Sequence, residues 1–168
     1  MSRAFAKDDG PDEPPVVAPR APLPGGVANY VTPRGLALLR AERDALATAR
    51  SSADADHTDE AERSRRLSVL AQQQAMLNER IAQAQVVTPA PSATVRFGAT
   101  VTFRAAVGGA ERAVRIVGVD EADAASGLVA FTAPVARALI GKTAGDTATL
   151  HTAGAAETLT VVAVRYDG

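Results

Sequence analysis

Two leucine seams separated by an acidic stretch constrain this chain more than any other feature. Leu36, Leu39 and Leu46 fall on one helical stripe at heptad spacing, with Arg43 and Arg50 filling the same stripe. Leu67, Leu70, Gln74, Leu77, Ile81 and Ala84 repeat the pattern further along. Both are heptad seams with polar interruptions, as expected of helices that each bury one narrow stripe. Two such helices with a short connection pack antiparallel. Thr32-Pro33-Arg34-Gly35 opens the first, because threonine caps free N–H groups and proline is tolerated at the first helical position. Arg40, Glu42 and Asp44 give that helix a wet face. Asp56 or Thr58 is the expected cap of the second helix. The chain between the seams, Asp54-Ala-Asp-His-Thr-Asp-Glu-Ala-Glu62, carries five acids in nine residues and no basic one. It reads as the acidic tip of a helical hairpin.

The period changes after the hairpin. Val86-Val87-Thr-Pro-Ala-Pro-Ser92 ends the helix, since Pro89 and Pro91 cannot continue it. From Thr94 the apolar residues alternate. Strands are expected at 95–103, 113–118, 128–131, 147–150 and 158–166, with a turn at Gly108-Gly109. Pro134-Val-Ala-Arg-Ala-Leu-Ile140 reads as a short helix closed by Gly141. The fold class is therefore α+β: an N-terminal antiparallel α-helical coiled-coil hairpin followed by an antiparallel β-sheet domain with one short helix. The expected division is a flexible N-terminal arm at 1–28, the hairpin at 29–87, a linker at 88–93 and the sheet domain at 94–168. The arm is rich in Pro, Gly and Asp, and Phe5 is its only aromatic side chain, so little could offset the entropy of ordering it.

Composition narrows the chemistry. The 168 residues include no cysteine and two histidines, His57 and His151. Disulfides, thiol catalysis and Cys-type zinc sites are excluded, and so is a histidine-rich metal site. Net charge is −1, which gives no global basic field for duplex DNA. Aromatic residues are 4% against 46% hydrophobic, so the core is aliphatic. No apolar run approaches the roughly 18 residues that span a membrane, and the N-terminus lacks the apolar region of a secretion signal. A cytoplasmic setting is expected.

Several stretches resemble the Gre family of bacterial transcription factors. Tyr30-Val-Thr-Pro-Arg-Gly-Leu36 is similar to the family's hairpin start, and Val95-Arg-Phe-Gly-Ala-Thr-Val101 to its domain-opening strand. Ile116-Val-Gly-Val-Asp-Glu-Ala-Asp123 resembles its I-V-G-x-D-E-A-D signature. Pro134-Val-Ala-Arg-Ala-Leu-Ile-Gly-Lys142, followed by Gly145-Asp146, resembles its P-x-A-R-A-L-x-G-K…G-D stretch. The resemblance implies an FKBP-like C-terminal domain that grips the rim of the RNA polymerase secondary channel, including a coiled coil of the β′ subunit. It implies a hairpin that enters the channel and tip acids that help hold the second Mg²⁺ of the polymerase's own active centre. A second Mg²⁺ stabilises the attacking and leaving oxygens of phosphodiester cleavage. The chain itself would be no enzyme, with no catalytic residue, no metal site, no stably bound cofactor and no sequence-specific nucleic-acid binding.

On this resemblance the tip residues are Asp54, Asp56, Asp59 and Glu60, with Asp54 and Asp56 at the apex and Asp59 and Glu60 as tip or helix-cap acids. The polymerase-binding residues are Asp120, Glu121, Asp123, Pro134, Arg137, Leu139 and Ile140. One of the three acids would pair with a basic residue of β′, and Leu139 and Ile140 would be partly core. The tip departs from the family's G-D-x-x-E-N-A-E-Y: only Glu60-Ala61-Glu62 echoes it, and the hairpin is shorter, closer to Rnk-like members. Carboxylate coordination needs contact at roughly 2 Å. Two readings follow, a channel binder that modulates transcription without cleavage and a factor that stimulates transcript cleavage. A third reading, prolyl isomerisation from the FKBP-like fold, would need an aromatic pocket. Phe97, Phe103, Phe131 and Tyr166 are spread over separate strands, and fold alone does not transfer function.

Overall fold

The structure is a computed structural model that describes residues 17–18, 20–106 and 109–166. Phe5, the first part of the arm and Gly108 of the expected turn lie outside the described residues.

The chain enters through β1 (Asn29–Val31) and passes directly into α1 (Pro33–Ala55). Thr32 caps α1 by accepting from the Gly35 N–H at 2.8 Å, with Pro33 at the first helical position. The second helix, α2 (Glu60–Ala82), is capped by Asp59, which accepts from the N–H groups of Ala61 and Glu62 at 3.0 Å each. The expected caps Asp56 and Thr58 serve the loop instead. Asp56 accepts from the backbone N–H and hydroxyl of Thr58 at 3.1 and 2.6 Å, and this closes the turn. Glu60 and Glu62 stand in the first turn of α2, where acids suit the helix dipole.

Leu39, Leu77 and Val31 are the buried centre of the hairpin, with Leu36, Leu46, Ile81 and Ala84 half-buried around them. Leu70, midway along α2, and Ala53, in the last turn of α1, extend the buried seam toward the tip. Arg50 continues the stripe as a polar contact, donating to Gln74 at 3.2 Å. Each helix of 23 residues is about 35 Å long.

The hairpin does not simply end at residue 87. Ala84–Val86 form β2, which pairs in parallel with β1 through the register Asn29↔Ala84, Tyr30↔Gln85, Val31↔Val86. This two-stranded clasp ties the start of α1 to the end of α2. Three-residue strands carry too little alternation to be read from a sequence.

The second unit is a five-stranded sheet in the order β5-β4-β3-β7-β6. It comprises β3 (Thr100–Ala105), β4 (Glu111–Val117), β5 (Leu128–Ala130), β6 (Thr147–Thr152) and β7 (Ala155–Arg165), with α3 (Pro134–Leu139) packed on it. Three pairings are antiparallel, but β4 and β5 run parallel, so the sheet is mixed and not wholly antiparallel. The chain between β4 and β5 makes two short 3-10 turns, Val119–Glu121 and Ala124–Ser126, and returns in the same direction. Residues 95–99, expected as strand, form a turn ahead of β3. Gly98 sits there at φ +86°, and a Cβ on it would lie 2.3 Å from Pro89 Cγ. The core is aliphatic: Val95, Val101, Ile116, Leu139, Leu159 and Val161 are fully buried, with Phe103 beside them.

Candidate functional site

Two places carry the residues singled out in the sequence: the hairpin tip and the seam where the hairpin base meets the sheet unit.

At the tip, every acid has a partner within the chain. Asp54 lies in the last turn of α1, where its Oδ1 is 3.3 Å from Arg63 Nη1. The other Arg63 amine is 2.7 Å from Glu60 Oε1. Asp56 holds Thr58, Asp59 caps α2, and Glu62 lies 3.7 Å from Arg65. Hydrogen bonds from Thr58 hold the Asp56 carboxyl below the usual carboxylate range, and Arg63 does the same for Glu60. Both are therefore ionised at neutral pH and are poor proton carriers. Among the described residues, no three His, Cys, Asp or Glu side chains converge as metal ligands would. Arg63 supplies much of this: it follows the acidic stretch directly in sequence and folds back over it.

At the base, two of the three acids of the Ile116–Asp123 stretch, Asp120 and Glu121, turn inward. Glu121 is buried at 6% exposure. Its Oε2 accepts from the Thr32 hydroxyl at 2.5 Å, and its Oε1 from Arg34 at 2.9 Å. Asp120 is 3.4 Å from Arg80 Nε on α2 and 3.5 Å from Arg20 Nε on the segment preceding β1. Arg80, itself buried, also donates from Nη2 to the Ala21 carbonyl, and its own carbonyl accepts from Asn29 Nδ2 at 3.0 Å. The expectation of Asp120 and Glu121 as outward contacts therefore meets a different arrangement: both carboxylates join the sheet unit to the hairpin. Asp123 does face solvent, where it caps the second 3-10 turn. It accepts from Ser126 Oγ at 2.5 Å and Ala125 N at 3.1 Å, and the serine bond holds its carboxyl low.

The α3 residues divide by exposure. Leu139 is fully buried in the core, whereas Pro134 and Arg137 are exposed and Ile140 is 40% exposed. Of the seven base residues named as polymerase contacts in the sequence, Asp123, Pro134, Arg137 and Ile140 are solvent-facing.

Backbone proximity explains two motif glycines. A Cβ on Gly35 would lie 2.8 Å from Glu121 Oε2, and one on Gly118 would lie 2.7 Å from the Tyr30 carbonyl oxygen. The glycines of Thr32-Pro-Arg-Gly35 and Ile116-Val-Gly118 therefore both lie where the two units approach too closely for a side chain. Beside it the rings of Tyr30, Phe97 and Phe131 pack edgewise, with centroids 5.6 to 6.1 Å apart. Two of the aromatics that a proline pocket would require are thus packed against the hairpin. Tyr166 donates its hydroxyl to the Thr94 carbonyl at 2.6 Å, and Phe103 is core.

Sequence reasoning did not single out Arg20, Arg34 or Arg80 as base residues. Arg80 carries one faint signal, a cation in the last helical turn between the seam positions Leu77 and Ile81.

Comparison with known proteins agrees with these motifs. Residues 90–166 match the family described as transcription elongation factor GreA/GreB, C-terminal. The transcription elongation factor GreA of Methylobacterium sp. (strain 4-46) is 47% identical over 74 residues, 44% of this chain and 47% of that protein. GreA of Alkalilimnicola ehrlichii is 43% identical over 91 residues, 52% of this chain and 58% of its own length. The chain thus spans about half the length of the curated relatives it matches. A GreA/GreB elongation factor from Nitrosomonas europaea superposes with a TM-score of 0.40 at 20% identity, covering 83% of this chain and 99% of that one. Residues 90–166 thus form a domain similar to the C-terminal domain of the GreA/GreB transcription elongation factors.

Proposed function

We propose that the chain is a transcription factor that binds bacterial RNA polymerase in the cytoplasm, sends its hairpin into the secondary channel and modulates transcription without cleaving the transcript. The sheet unit holds the channel rim at the β′ coiled coil, through the solvent-facing Asp123, Pro134, Arg137 and Ile140. The factor is not itself an enzyme, holds no cofactor and reads no DNA sequence; the Mg²⁺ belongs to the polymerase. No helix among the described residues is long and apolar enough to cross a membrane.

The observation that carries the non-cleaving reading is the partnering of the tip acids. Mg²⁺ is bound through one or two carboxylates at about 2.0–2.1 Å in near-octahedral geometry. Asp54 and Glu60 share Arg63, Asp56 holds the loop and Asp59 holds α2. Each carboxylate is engaged through one oxygen, and Asp54 and Glu60 share the charge of one guanidinium, which weakens them as ligands for a cation. The tip therefore acts by charge and by occupying space.

The test uses stalled, backtracked elongation complexes in Mg²⁺. The expected result is binding to polymerase, intact transcripts and inhibition of an added cleavage factor. Shortened transcripts that become intact with Asp54→Asn/Asp56→Asn would establish the cleavage reading instead. Absence of polymerase binding would refute both.

A further inference from the structure

The segment before β1 does more than lead into it. Arg20 sends its guanidinium between two parts of the molecule. Its Nη1 and Nη2 donate to the two carboxylate oxygens of Glu42 on α1 at 2.7 and 2.9 Å. Its Nε lies 3.5 Å from Asp120 of the sheet unit. Asp120 in turn meets Arg80 of α2, and Arg80 donates to the carbonyl of Ala21, the neighbour of Arg20. One arm residue thus joins both helices to the sheet unit in the series Glu42–Arg20–Asp120–Arg80. Forked arginine–carboxylate pairs are geometrically demanding and stronger than single contacts. Side-chain exposure falls along the series, from 45% for Glu42 and 23% for Arg20 to 11% for Asp120 and 8% for Arg80, so its inner end is shielded from solvent and its Glu42 end is open.

Leu23 is half-buried and lines one surface cleft with Met76, and Val17 and Ala18 line a second with Leu46 and Met76. Gly25-Gly26 then turns the chain into β1, with Val27 N donating to Pro24 O at 3.1 Å and Gly26 at φ +76°.

We propose that this segment is a strap and that Arg20 is a positioning residue fixing the direction of the hairpin relative to the sheet unit. The hairpin is a lever about 35 Å long, so a swing of about 10° at its base moves the tip by roughly 6 Å. The Thr32–Glu121 contact and the Tyr30 ring cluster hold one side of the base. Arg20 holds the flank carrying Glu42. The inference stands on contacts within the chain and is independent of the polymerase reading.

The absence of cysteine makes the test direct. Cysteines introduced at the exposed Ser64 of α2 and Thr149 of β6 carry spin labels, and the distance distribution between them is measured in the full chain by electron–electron resonance. Arg20→Ala is expected to broaden the distribution about twofold, and Glu42→Gln to broaden it in the same way. Arg43→Ala, whose guanidinium pairs with the adjacent Asp44, is expected to leave it unchanged. Unchanged centre and width in Glu42→Gln, with helical circular dichroism intact, overturn the proposal whether or not Arg20→Ala folds. Equal broadening in Arg43→Ala overturns it too, because the effect would then be general to surface charge. A chain that fails to bind polymerase leaves this measurement standing.

Discussion

Thr32 and Glu121 are 89 residues apart, and their side-chain oxygens are 2.5 Å apart. One threonine hydroxyl thus serves two units: it accepts from Gly35 N to begin α1 and donates to the carboxylate of the sheet unit. The helix start and the interunit seam are one structural event.

Removing the carboxylate leaves the Thr32 hydroxyl without its acceptor at a buried site. Glu121→Ala is expected to cost about 1–3 kcal/mol, read as a lower urea midpoint. Arg34 is 61% exposed and can return to water, so it adds little to that cost. An unchanged midpoint would mean that the seam does not contribute to stability.

Gly118 has φ −67°, so its requirement is space and not backbone freedom. Gly118→Ala would place a methyl 2.7 Å from the Tyr30 carbonyl, and overpacking of this kind costs about 1–3 kcal/mol. At Gly25 nothing lies within 4 Å of an added Cβ, and Gly25→Ala should stay within about 0.5 kcal/mol of wild type. Thermal melts of the two variants check the contrast.

Leu77 is completely buried in a narrow seam, while Leu38 is 46% exposed one turn from the base. Leu77→Ala is expected to lose about 2–5 kcal/mol, and Leu38→Ala to lose little. Chemical denaturation followed by helical circular dichroism separates them. Similar losses would contradict the seam.

Asp59→Ala removes the side chain that caps α2 and should cost about 0.5–2 kcal/mol. The loss should show as fast amide exchange at Ala61 and Glu62. Protection as in wild type would mean that another group caps the helix.

The pH dependence of the strap follows from Glu42. Its hydrogen bonds from Arg20 hold the folded-state carboxyl below its ordinary value, with burial opposing. The contribution is therefore fully present above the unfolded value of about 4.3 and is lost as pH falls through the lower folded value. Carboxyl carbon titration by NMR should find Glu42 below the ordinary range, and back within it in Arg20→Ala. Identical titration in both proteins would show that the pair does not persist in solution.

The hairpin was legible because heptad leucines report a period directly: Leu39, Leu70 and Leu77 are buried as their spacing requires. The α3 helix was legible from Pro134 and Gly141, and the alternating strands from their period of two. The β1–β2 clasp was not, since three residues show no periodicity. The parallel β4–β5 pair was hidden too, because a connection through two 3-10 turns looks like any loop.

The acids mark the boundary between the two kinds of knowledge. Sequence alone determined that acids cluster at 54–62 and at 120–123, that two helices flank the first cluster, and that the family motifs are present. It could not decide which way a carboxylate points. That depends on which cation the fold brings within hydrogen-bond reach, and the decisive ones are remote in sequence: Arg34 for Glu121, Arg80 and Arg20 for Asp120. At the tip, Arg63 is near in sequence, but only the geometry of the turn sets it between Asp54 and Glu60. Residue type supplies the charge locally, whereas the partner that makes a buried carboxylate tolerable is chosen by tertiary packing.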